Sequence, residues 1–289
     1  MALFRAIARH FVRLLVTILA GGLLGATLVR MAPAFGIDEA EFDTRLNRST
    51  VESMRRENAP DPNILVFYGH YLAGAVHGDL GQSMSFKRPV AGLIRERLPV
   101  TLAYLGTGVM AGLLLGFTFA VIGTRFRLFL FDLVPIFASG LCLSIPAAVL
   151  ALIFLLLGKP GEWAMALIVF PYVYRYSRNL LAHVQDAPHV IAARARGVRP
   201  GGLVLKHILP IAAPQLLALI GVAVAIAFPA CVPVEVMCES PGIGQLAWKA
   251  ATARDLPVLI NLTLLATAIV LAGNSLSDVM ARALRRDAQ

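Results

Sequence analysis

Long apolar runs constrain this chain more than anything else in it. Five are plain, at residues 11–29, 99–123, 133–157, 211–229 and 256–280. A helix that crosses a bilayer needs about 20 mostly apolar residues, and these runs are close to that length or beyond it. A sixth run, 163–176, is shorter and rich in aromatics, and it extends to about Leu181. Its Tyr172, Tyr174 and Tyr176 suit an interfacial belt. The expectation is an all-α polytopic membrane fold of about six spans. Composition leans the same way, with 58% hydrophobic and 15% charged residues, against about 45–50% and about 25% in soluble domains. So much Leu, Val and Ile without a short repeat excludes disorder, collagen and coiled coil. Three cysteines in 289 residues exclude a disulfide scaffold.

The first run invites a second reading. Arg5, Arg9 and Arg13 precede it, and Ala32-Pro33-Ala34 faintly resembles a cleavage site, as in a signal peptide. The stretch is long for that role and Pro33 sits inside the would-be site, so an uncleaved first span is expected.

Six spans place both termini on one side, and charge says which. With the termini inside, the inner segments hold 14 basic residues against four acidic ones. The outer segments hold the other 12 basic residues against 13 acidic ones. Short inner loops rich in Arg and Lys mark the cytoplasmic side. The net charge of +9 is thereby a matter of topology, and nucleic acid is not needed as a partner.

Between the spans the chain divides into a tail with the first span (1–31), an external cap (32–98) and a membrane core (99–289). The cap is expected to carry surface helices at 38–57 and 64–76, a turn at Gly78-Asp79-Leu80-Gly81, and a membrane-surface helix at 89–98. In that last helix Val90, Leu93, Ile94 and Leu98 would face lipid. The inner loop 182–210 is different. Asp186 followed by Pro188 signals a helix start, and Gly197 suits the left-handed residue after a helix end. Pro200-Gly201-Gly202 then turns into a second helix, 203–209. Read alone, this is a basic tether, or a small-residue helix that a partner's backbone can approach.

The spacing in that loop resembles a known pattern. Ile191-Ala192-Ala193-Arg194-Ala195-Arg196-Gly197, with Leu209-Pro210 following, is similar to the EAA loop of ATP-binding-cassette importer permeases. The likeness is to the dipeptide, oligopeptide and nickel branch, although Ile191 replaces the Glu of the general motif. Gly78 to Ser83, Arg88-Pro89-Val90, Arg97 to Leu102, Glu235 with Pro241-Gly242-Ile243-Gly244, Arg254-Asp255-x-Pro257, and Asn274-x-x-x-Asp278 follow the same branch in order. The long segment after span one is similar to the first of two permease subunits.

The resemblance implies a type I importer transmembrane fold in a bacterial inner membrane, with no enzymatic chemistry of its own. A second permease would complete the pathway, two cytoplasmic P-loop ATPases would power it, and an external solute-binding protein would deliver cargo, peptides being the commonest. The loop 191–197 with Leu209 and Pro210 would be the ATPase-coupling loop. Glu235, Pro241, Gly242, Gly244 and Asp79 would serve a gate or a binding-protein contact. No cofactor is expected on this chain. It has no G-x-x-x-x-G-K-[ST], so ATP and Mg would sit on the partner.

Polar groups inside spans are often functional. Asn261, Asn274 and Ser144 are candidates to line a path, or to bond between helices. The six His show no metal spacing, and Val232-Pro233 disfavours a Cys231–Cys238 disulfide. A polytopic enzyme would need a catalytic constellation such as paired Asp or H-E-x-x-H, which the sequence lacks. An ATPase-independent channel or secondary carrier would have no use for the coupling loop.

Overall fold

The computed structural model describes residues 12, 15–25, 27, 64–126 and 129–287. The surface helix expected at 38–57 lies outside them. The described residues are almost entirely helical: α1 Leu15–Gly25, α2 Ile64–Val76, α3 Val90–Phe126, α4 Phe129–Ser144, α5 Ala147–Leu156 and α6 Gly161–Gln185. Then come α7 Pro188–Ala195, α8 Pro200–Leu203, a π-helical turn Val204–Ile208, α9 Leu209–Met237, α10 Ile243–Thr252 and α11 Leu256–Asp287.

Among the described residues three helices are long and apolar enough to cross a bilayer: Val90–Thr124, Pro200–Met237 and Leu256–Ala283. The run expected as one span at 133–157 is instead a pair, Leu133–Ser144 and Ala147–Leu156, bent by 104°. Ile145-Pro146 is the cause. Proline has no N–H to continue the ladder, and it pushes the preceding residue out of the helical region. The surface helix expected at 89–98 also differs. It is the first part of α3, which runs unbroken through Pro99, so the expected boundary at 98/99 falls inside a helix. Val90 and Leu93 are buried within the protein rather than turned to lipid.

The chain forms two compact units, Met1–Glu96 with Ala247–Ala268, and Arg97–Leu246 with Ile269–Gln289. In the first, Tyr68, Leu256 and Ile260 form a core with Leu23, Leu72 and Leu264 around it. Tyr68 Oη donates to the Leu19 carbonyl at 2.8 Å. A side chain at Gly22 would overlap Leu264 and crowd Tyr68 Oη, so this glycine serves close helix packing.

A second feature of that unit is a carboxylate clasp. Asp255 is fully buried. It accepts from Ser83 Oγ, from Ser85 N–H at 3.0 Å and from Ser85 Oγ at 2.7 Å. Burial opposes ionisation here, but the donations from Ser83 and Ser85 outweigh it and hold the carboxyl below its usual range. The loop after α2 is thus tied to the start of α11.

In the second unit α6 is central. Its Met165, Val169 and Val173, four residues apart, meet Gly108, Gly112 and Gly116 of α3, also four apart. A Cβ on Gly112 would lie 2.8 Å from Val169 Cβ. Small residues at this spacing let two membrane helices approach closely. Below this seam Phe170, Tyr174, Leu181 and Val184 pack with Ala120, Val190, Ala193, Leu203, Ile208 and Ala212.

Candidate functional site

The inner loop folds as two short helices on that core. α6 ends at Gln185, whose side-chain amide donates to the Thr124 carbonyl at 3.2 Å. α7 starts with Pro188 in its first turn, where proline's missing N–H costs nothing. Asp186 does not start this helix, as its place in the sequence suggests. It caps the end of α6 instead, and Ala187 precedes α7. Val190 and Ala193, three apart, are fully buried. Ile191 is 52% exposed, and Ala192, Arg194, Ala195 and Arg196 are exposed beside it. One stripe of the helix therefore anchors it, and the rest is presented outward.

Gly197 stops the helix as expected. Its φ is +79°, its N–H bonds the Arg194 carbonyl at 3.0 Å, and the Val198 N–H reaches Ala193 O at 3.3 Å. Those bonds satisfy carbonyls that the helix end would otherwise orphan. The second helix, expected at 203–209, is α8 followed by the π turn, which runs straight into Leu209 and α9. The wide turn precedes Pro210, whose ring would crowd the carbonyl four residues earlier in a regular helix. Between the two short helices lies a cleft of about 270 Å³, lined by Thr124, Gln185, Arg194, Val198, Leu203 and Ile208 among others.

Glu235, Gly242 and Gly244, three of the five residues expected at a gate or a binding-protein contact, meet in a second carboxylate clasp. Glu235, near the end of α9, is fully buried. Its Oε1 accepts from Thr101 Oγ1 at 2.6 Å. Its Oε2 accepts from the Gly244 N–H at 2.7 Å and the Gln245 N–H at 3.2 Å. Thr101 Oγ1 in turn accepts from the Ile243 N–H at 2.7 Å. The carboxylate thereby caps the N-terminus of α10, where backbone donors point outward, and ties it to α3. A side chain at Gly242 would overlap the carboxylate. Arg97 Nη1 donates to Gln245 Oε1 at 3.2 Å on the same side.

Other expected residues fall elsewhere. Asp79 is exposed and accepts from the Gly81 N–H at 2.9 Å, a local turn contact. Pro241 is exposed. Asn261 donates to the carbonyls of Leu80 at 2.9 Å and Pro257 at 2.7 Å, a bonding role within its unit. Ser144 donates to the Gly140 carbonyl at 2.9 Å at the end of α4. Asn274 is half-buried beside Gly221, whose Cβ would lie 2.8 Å from Asn274 Oδ1. Cys231 and Cys238 are free thiols. Sequence reasoning missed the glycine seam of α3 and Thr101 as Glu235's partner. The seam was legible as Gly108, Gly112 and Gly116, whereas nothing local marks Thr101.

The chain is similar to known proteins. Residues 105–289 match the family described as the binding-protein-dependent transport system inner membrane component. A putative peptide transport system permease protein of Brucella suis is 28% identical over 257 residues, covering 80% of this chain and 82% of its own. The oligopeptide transport system permease protein AppB of Bacillus subtilis is 24% identical, covering 83% of this chain and 85% of its own. The nickel import system permease protein NikB of Staphylococcus aureus is 21% identical, covering 97% and 90%. All three are named as transport permeases, not enzymes. With its apolar helices and this match over most of its length, the chain belongs to the binding-protein-dependent transport family and is a multi-pass inner-membrane permease subunit.

Proposed function

We propose that this chain forms half of the translocation pathway of an ATP-driven importer for peptides. A second permease completes the pathway, two P-loop ATPases carrying ATP and Mg drive it from the cytoplasm, and an external binding protein delivers the solute. Both termini face the cytoplasm, and the chain crosses the membrane about six times. The observation that carries the reading is α7. Val190 and Ala193 root it in the core, while the small Ala192 and Ala195 are presented outward beside Ile191, Arg194 and Arg196. A helix anchored on one stripe and stopped sharply at Gly197 transmits a push as a unit, which suits coupling to an ATPase. The relatives named for peptide transport support the cargo.

Glu235 serves this machine from within. It has no exposed surface with which to touch a docking protein, so we assign it to holding an outer gate segment, the start of α10, against α3. The test is assembly and uptake. Tagged protein should co-purify with a P-loop ATPase and a second permease. Solute uptake by the chain reconstituted alone would sink the reading.

A further inference from the structure

One face of α6 is polar where a membrane helix is expected to be apolar. The helix runs 25 residues, about 37 Å at 1.5 Å per residue. Arg175 lies before the inner loop expected at 182–210 and well within the helix, 14 residues from Gly161 and ten before Gln185. That is about 21 Å from the start, inside a hydrocarbon core of about 30 Å if α6 spans. Tyr172, Arg175, Tyr176 and Asn179 follow helical spacing and are all exposed. The opposite side of the helix is buried, with Val169, Val173 and Ser177 inside.

Lipid is a poor neighbour for this face. An Arg at membrane depth costs about 2.5–3.5 kcal/mol even on insertion scales, and such residues turn to a water-filled cavity or a polar partner. The Arg175 side chain is steadied from one side only. Its Nε donates to Ser139 Oγ of α4 at 3.1 Å, and Ser139 is itself fully buried. Beside it, Gly140 leaves room, since even a built Cβ would stand 3.6 Å from Arg175 Nη2. No carboxylate of the described residues pairs with Arg175, whose hydrogen bond to Ser139 leaves its terminal nitrogens open. A guanidinium held at Nε presents those nitrogens as a planar fork, the geometry that binds a carboxylate through two parallel hydrogen bonds. Tyr172, one turn before Arg175, shares its exposed face and adds an amphipathic ring there.

We infer that the α6 face centred on Arg175 lines the translocation pathway and binds the carboxylate of the passing solute, such as the free C-terminus of a peptide. This deepens the proposed function and rests on it. It also predicts discrimination. A fixed cation on the path attracts an anionic group and repels a free divalent cation, so a bare metal ion is disfavoured as cargo.

Two measurements on the assembled complex test it. In a background with Cys142, Cys231 and Cys238 replaced by Ala, the Arg175→Cys variant is treated with the charged reagent sulfonatoethyl methanethiosulfonate. Modification in at least one nucleotide state is expected. No modification in any state would mean that the side chain faces lipid or another subunit, and would overturn the proposal. In the second measurement, a peptide mixture is offered as free acids and as C-terminal amides. Wild type is expected to prefer the acids. Arg175→Gln should lower acid uptake about tenfold or more, the scale of a lost charge-assisted hydrogen bond, and leave amide uptake near wild type. Arg175→Lys should restore part of the preference. An acid-to-amide ratio unchanged by Arg175→Gln refutes the carboxylate site alone. If wild type takes up neither form under ATP, the peptide importer reading fails, and this inference fails with it.

Discussion

Removing the Glu235 carboxylate exposes how the outer clasp is held. Glu235→Ala strands the Gly244 N–H and the Thr101 hydroxyl in a buried position and frees the half-buried Gln245 N–H towards water. A buried donor without a partner costs about 1–3 kcal/mol. The Thr101 hydroxyl can turn, while the Gly244 amide cannot, and the truncated side chain leaves a void. The sum is about 3–5 kcal/mol. Glu235→Gln keeps the shape. Its oxygen can serve the two amides, but its NH₂ cannot accept the Thr101 proton, and the bonds lose their charge assistance. That costs about 1–2 kcal/mol. The assay is thermal unfolding of the purified complex in detergent. At about 2–4 °C per kcal/mol for a chain of this size, Ala should lower Tm by about 10 °C and Gln by about 4 °C. Gly242→Ala should resemble Glu235→Ala, because its methyl displaces the carboxylate. If Ala and Gln both unfold within about 2 °C of wild type, the carboxylate does not hold the segment and the argument is refuted.

Four further outcomes follow from other contacts. Gly197→Val forces a β-branched residue to a φ of +79°, at about 1–2 kcal/mol or more, and should abolish uptake while membrane insertion stays normal. Charge reversal by Arg194→Glu with Arg196→Glu should abolish uptake at full expression, and co-purification of the ATPase reports whether docking is the cause. Gly112→Leu should prevent a folded product, because its side chain meets Val169 and the Ala166 carbonyl, and normal yield on gel filtration would contradict the seam. Asp255 contributes stability above the ordinary aspartate value of 3.8 and loses it as pH falls through its lowered folded value. Wild type should therefore lose more Tm than Asp255→Asn below about pH 4, and parallel acid profiles would remove Asp255 from the account.

Much of the fold is legible in the sequence because hydrophobic length is a local property. α2 falls at 64–76 as its apolar pattern suggests, and Gly197 takes the left-handed turn that its place after a small-residue helix implies. The prolines are where local pattern fails. Pro99 is carried inside α3, whereas Pro146 breaks a run that hydropathy alone would join. Neighbouring helices decide whether a membrane helix tolerates the lost hydrogen bond. Arg175 shows a related limit. Hydropathy falls at Tyr174 to Arg178, near the expected end of the sixth run, yet the backbone stays helical to Gln185.

The ordered motifs and apolar runs suffice by themselves to say that this chain lives in a membrane and works in an importer. They do not say which residues meet. Thr101 and Glu235 are 134 positions apart, and Ser83 and Asp255 are 172 apart. Pairing at such range is set by how helices pack, since each carboxylate must find its donors inside the fold once water is removed. Sequence carries burial as a local average over a few turns. Which face of α6 is buried, and that Arg175 lies on the other, is settled only when α3 closes on its glycine seam.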